Sequence, residues 1–102
     1  MSLERISANL TVLDIGRTPI ETLDLSGCSK LQELWGDQCS LTALDVSHCP
    51  KLTLLSFDSP ALTTLMLDNP MLEDLLISDT NLSELDLSSC PNLTTLTCVN
   101  SP

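Results

Sequence analysis

Aromatic residues are nearly absent from this chain: one Trp, one Phe and no Tyr. A densely packed core must then be built from aliphatic side chains, and Leu supplies most of them. Cations are almost as scarce, with 4 Lys and Arg against 14 Asp and Glu and a formal net charge of −10. That balance argues against nucleic acid, because phosphate contacts need clustered cations, and equally against anionic membrane surfaces. It favours solubility and partners that are neutral or basic. No apolar run reaches the ~18 residues of a membrane-spanning helix, so membrane insertion is not expected. The opening MSLERISANL lacks the basic-then-apolar order of a signal peptide, which leaves a parent protein either cytoplasmic or secreted with its signal removed. One His removes most acid–base schemes, and no Ser-His-Asp set, phosphate loop or helical zinc motif occurs. An enzyme is not expected and no cofactor is implied. The Cys count, five, is odd, which suits reduced buried thiols better than a complete disulfide framework.

What is present is a repeat. From residue 10 the chain divides into segments that each begin on an aliphatic residue and carry Leu at position 4: LTVLDIGRTP (10–19), IETLDLSGCSK (20–30), LQELWGDQCS (31–40), LTALDVSHCPK (41–51), LTLLSFDSPA (52–61), LTTLMLDNPM (62–71), LEDLLISDTN (72–81), LSELDLSSCPN (82–92) and LTTLTCVNSP (93–102). Position 6 is apolar in all but one, where Gly36 stands. Segments of eleven residues reading LxxLD[LV]SxC alternate with looser ones of ten; the segment at Leu62 belongs with the former but is one residue short.

Leucines at positions 4 and 6 share a face only on extended chain, where side chains alternate. Positions 3 and 5 then point outward, and Gly, Ser, Asn, Asp and Pro at positions 7–10 make the turn. The six or seven residues left after each strand are too few for a helix with two connections. The prediction is a mainly β solenoid with little or no helix, in which stacked coils form two short parallel sheets, one strand per half-repeat. Residues 1–9 are a lead-in and partial cap. Residues 10–102 form about 4.5 coils without a C-terminal cap, each relying on its neighbours to bury its leucines.

The run LxxLDLSxCPxL resembles the leucine-rich repeat, whose conserved segment is LxxLxLxx[NC]xL. The nested eleven-plus-ten pattern resembles the IRREKO class of about 21 residues, found most often in bacterial proteins. The resemblance covers residues 10–102. It implies a protein-recognition surface with no catalytic residues of its own. It also implies that the residue at position 9 points inward and bonds neighbouring loop backbone. Cys28, Cys49 and Cys90 match that position, Asn69 takes it in the shortened segment, and Cys39 takes it in a ten-residue half. Thr18, Pro60, Thr80 and Ser101 occupy it elsewhere; Pro cannot donate, which predicts a weaker ladder on that side.

Three groups of residues invite a chemical reading. Cys28 and Cys49 stack on adjacent coils, but their parallel side-chain vectors do not suit a disulfide, and His48 points away from Cys49, which does not suit a metal. Asp24, Asp45 and Asp86 form an outward column, interrupted by Met66, that reads as a solvated face and opposes pairing through it. On the other sheet Val12, Trp35, Leu54 and Leu76 form an outward apolar diagonal, the feature most like an interface. Gly36 leaves a gap in the core that Phe57, one coil on, is placed to fill. The N-L-[ST] triplets at Asn9, Asn81 and Asn92 are written by the repeat itself.

Two functions follow. One is a protein-recognition scaffold, a fragment of a longer bacterial protein, binding an unidentified protein partner through the face around Trp35. The other is a structural or self-assembling unit, natural or engineered, that forms homodimers or larger homo-oligomers through an open end or the apolar face.

Overall fold

A computed structural model of the chain describes residues 2–3, 9–83 and 85–99. Residues 1 and 4–8 of the expected N-terminal cap, and the ladder position at Ser101, lie outside them. Nine strands follow in chain order: β1 (Ser2–Leu3), β2 (Val12–Asp14), β3 (Thr22–Leu23), β4 (Glu33–Gly36), β5 (Ala43–Asp45), β6 (Leu54–Asp58), β7 (Thr64–Met66), β8 (Asp74–Ser78) and β9 (Thr95–Val99). No helix occurs among the described residues, every pairing is parallel, and the chain winds as a β-solenoid of about 4 turns.

The two sides of the solenoid are unequal. Strands of the ten-residue halves form one continuous five-stranded sheet, β2-β4-β6-β8-β9. On the other side β3 and β5 of the eleven-residue halves pair separately, β3 with β1 of the lead-in and β5 with β7 of the shortened segment, and residues 85–87 form no strand. The residue at position 5 explains the difference. Asp14, Asp24, Asp45 and Asp86 each turn a carboxylate forward to accept the backbone N–H two residues on, from Gly16 (2.8 Å), Ser26 (3.0 Å), Ser47 (2.9 Å) and Ser88 (2.9 Å). Such a local bond competes with the sheet ladder for the same donor. Strands with Asp at position 5 therefore stop there or earlier. Those with Trp35, Ser56, Leu76 or Thr97 run on to position 6 or 7. Strand β7, with Met66 at that position, is short for a related reason: the N–H of Asp68 is taken by the Asn69 side chain at 2.9 Å.

Inward residues stack in columns. Leu34, Leu55 and Leu75 fill position 4 of the large sheet and are buried, as are Leu31, Leu52 and Leu72 at position 1. Leu41, Leu62, Leu44 and Val46 meet them from the other side within the same core cluster. Gly36 sits between Ile15 and Phe57 at position 6, and a Cβ added there would meet the Phe57 Cβ at 3.3 Å and the Ile15 Cγ1 at 3.4 Å. Phe57 thus occupies the volume that Gly36 leaves.

The carboxylate-to-turn bonds make a pH prediction. Asp24 and Asp45 are held below the ordinary carboxylate range, first by the hydroxyls of Ser26 and Ser47, with the backbone N–H groups and His48 adding to the effect. Asp86 is lowered by the backbone N–H and then the hydroxyl of Ser88. A carboxylate whose pKa is lower folded than unfolded stabilises the fold above the unfolded value of about 3.9, and that contribution is lost as pH falls through the folded value. Thermal melts at about pH 5 and about pH 2.5 should show a smaller acid-induced loss for the triple variant Asp24→Asn/Asp45→Asn/Asp86→Asn than for the parent chain. Equal losses would mean that these bonds do not couple to folding.

Candidate functional site

The outer face of the five-stranded sheet is built by strand alternation. Leucines at positions 4 and 6 go inward, so positions 3 and 5 go outward. The register then fixes who lies beside whom. Val12 faces Glu33, and Leu54 faces Glu33 on one side and Asp74 on the other. Trp35 faces Asp14 and Ser56, while Leu76 faces Ser56 and Thr97. The result is a checkerboard in which each apolar side chain has a polar neighbour on every adjacent strand, Val12 of the edge strand β2 having one such strand and the others two. No two carboxylates of these two rows share a lateral step, so like charges do not oppose one another across the ladder.

The apolar diagonal is less exposed than its sequence suggests. Val12 is 49% exposed, but Trp35, Leu54 and Leu76 are half-buried. The Trp35 Nε1–H donates to Glu33 Oε1 at 3.1 Å, which ties the indole to its own strand. Of the other outward positions Asp14, Thr95 and Thr97 are exposed and Glu33, Ser56 and Asp74 half-buried. On the opposite side Asp24 and Asp86 are exposed, Asp45 is half-buried, and Met66 is 53% exposed.

The inward positions at the turns form a hydrogen-bonded spine. Cys28, Cys49, Asn69 and Cys90 are all buried. Each accepts, at its backbone carbonyl, the N–H of the residue three further on: Leu31, Leu52, Leu72 and Leu93. Asn69 also reaches back to the preceding coil, its Nδ2 donating to Val46 O (2.8 Å) and Cys49 O (3.1 Å). The shortened segment thus replaces a missing residue with a longer polar side chain. The thiols are free, and burial pushes Cys28 up and Cys49 up to about 11, the neighbouring Asp24, Asp45 and Cys28 adding to it. Protonated thiols are poor nucleophiles and poor metal ligands. His48 is exposed while Cys49 is buried, so the two side chains diverge.

One spine residue was misplaced by counting forward from the start of its segment. Pro60 is exposed, and its neighbour Ser59 is fully buried and donates its hydroxyl to Leu41 O at 2.6 Å. The ladder is therefore not weakened there by a missing donor. Counting backward from the next Leu finds it: Ser59-Pro60-Ala61-Leu62 repeats the pattern of Cys49-Pro50-Lys51-Leu52 and Asn69-Pro70-Met71-Leu72, with the same bond from the Leu62 N–H to Ser59 O at 3.0 Å. Pro suits the second position of such a turn because its φ is preset. The corresponding turns of three other ten-residue halves use Arg17, Gln38 and Asp79 in left-handed conformation at φ 59°, 56° and 52°. A recess lined by Gln38, Cys39, Asp58, Pro60, Asp79 and Thr80 lies where the two turn types meet. Gln38 N–H donates to the Asp58 carboxylate in it.

Among the described residues no group of three or more His, Cys, Asp or Glu is placed to hold a metal ion. No helix there is long and apolar enough to cross a membrane. The chain matches no protein-family model, no curated protein and no solved structure.

Proposed function

We propose that this chain is a protein-recognition scaffold of the leucine-rich-repeat kind, binding a protein partner through the outer face of the five-stranded sheet around Trp35. One observation carries the reading: the wide, continuous sheet is the side that holds Val12, Trp35, Leu54 and Leu76, whereas the Asp-bearing side is narrow and interrupted. A rigid sheet presents side chains at fixed spacing, and a Trp among aliphatic residues suits the centre of an interface. The spine of buried Cys, Asn and Ser serves the fold and leaves that face free to vary.

The test is capture of binding proteins by the parent chain and by the double variant Trp35→Lys/Leu76→Lys, each checked for an unchanged melting transition. Specific capture by the parent and its loss in the variant is the expected result. Equal capture by both would sink the reading. A second reading, self-association, rests on Leu96 of β9, which is 47% exposed although Leu55 and Leu75 in the same column are 0% exposed. Sedimentation across a concentration series separates the two, since recognition of a foreign partner predicts a monomer throughout.

A further inference from the structure

We infer that the partner which covers this face is a basic protein segment carrying apolar side chains between its cations, and not a second copy of the chain. The inference rests on the proposed role of the sheet face and names what that face selects. Its two outward rows hold Asp14, Glu33 and Asp74 among Val12, Trp35, Leu54 and Leu76. Asp37 and Asp58 extend the acidic set at one rim, next to Gly36 and Phe57 in sequence. Neither row contains a cation. Among the described residues Arg17, Lys30 and Lys51 are exposed but lie outside the strands, on the connecting turns.

Covering an apolar patch removes its carboxylates from water as well. A carboxylate left buried without a counter-charge is strongly unfavourable, so the covering surface must supply cations next to the apolar groups. The checkerboard dictates that intimacy, because every apolar residue of the first four strands except Leu76 has a carboxylate directly beside it. A second copy brings the same carboxylates to the contact, and like charges in register repel. Nucleic acid and anionic lipid fail for the same reason.

Trp35 is the only Trp in the chain, so its fluorescence reports on the face directly. The probes are short synthetic peptides in which Lys, Ser or Glu alternates with Leu. The Lys–Leu peptide should shift Trp35 emission, bind at least about tenfold tighter than the Ser–Leu peptide, and weaken between about 50 mM and about 500 mM NaCl. Removing two face charges, in Glu33→Gln/Asp74→Asn, should weaken it about fivefold, while Asp24→Asn/Asp86→Asn on the other side should leave it unchanged. Equal binding of the Lys–Leu and Ser–Leu peptides overturns the charge selection but leaves the face as a binding surface. Equal weakening by the two charge variants assigns the attraction to net charge and also overturns it. If Leu54→Ser/Leu76→Ser leaves Lys–Leu binding intact, the underlying reading of the face fails instead. A concentration-dependent Trp35 shift without peptide shows a second copy on the face and overturns the inference.

Discussion

Asn69→Ala should lower the unfolding free energy by about 3–4 kcal/mol in urea titrations, a large share of the roughly 5–15 kcal/mol typical of a domain this size. The side chain is fully buried and makes three bonds: two donations, to Val46 O and Cys49 O, and one acceptance from the Asp68 N–H. Truncation removes all three bonds, each worth about 0.5–1.5 kcal/mol net and less than additive, and opens a cavity as well, although Val46 O and Cys49 O keep the N–H groups of Cys49 and Leu52. A packing defect alone would also destabilise, so a second variant is decisive. Replacing Asp68-Asn69 with the Ser-His-Cys of the preceding coil restores the eleven-residue length and should recover most of the loss. A deficit below about 1 kcal/mol for Asn69→Ala, or no recovery on lengthening, would show that the amide is not compensating for the missing residue.

Gly36→Leu is the second large effect. The same column holds Ile15, just after β2, and Phe57, Ile77 and Cys98 of the other strands, so Leu looks harmless from the repeat alone. The space is already filled: even a Cβ stands 3.3 Å from Phe57 and 3.4 Å from Ile15. Overfilling a packed core costs about 1–3 kcal/mol, and the upper end applies because both flanking strands are fixed by ladder bonds. Phe57→Ala alone should cost about 3–4 kcal/mol through the cavity it opens. The double variant Gly36→Leu/Phe57→Ala should be clearly more stable than the sum of the two losses implies, since the new Leu enters that cavity. Thermal melts that give a simply additive double variant would mean the two positions do not share space.

Much of this was readable in advance. The leucine columns and the exchange of volume between Gly36 and Phe57 follow from side-chain alternation and the repeat length, and the inward Cys28, Cys49, Asn69 and Cys90 from the resemblance to the leucine-rich repeat. Three things did not. Ser59 was missed because alignment from the front of a segment hides that the turn is anchored at its rear, on Leu62. The unequal sheets were missed because the Asp at position 5 was read only as a solvated charge. Its reach to the N–H two residues on is a local geometric fact that periodicity does not carry. The half-burial of Trp35, Leu54 and Leu76 depends on how large side chains lie across neighbouring strands, a relation between coils that no single segment encodes. The face itself was legible as a set of outward residues. Its checkerboard required the register.

Sheet width in this solenoid is set separately in each half-coil, by a side chain that takes a turn N–H: Asp at position 5, or Asn69 behind Met66. The consequence is a division of labour under mutation. On the Asp side, a substitution at position 5 removes a turn bond, so that flank tolerates fewer changes. On the other side, positions 3 and 5 apart from Asp14 can change without removing such a bond, provided Asp is not introduced where the strand must continue. Coils of this kind can therefore change the outer face of their wide sheet by single substitutions while the opposite flank keeps successive coils in step.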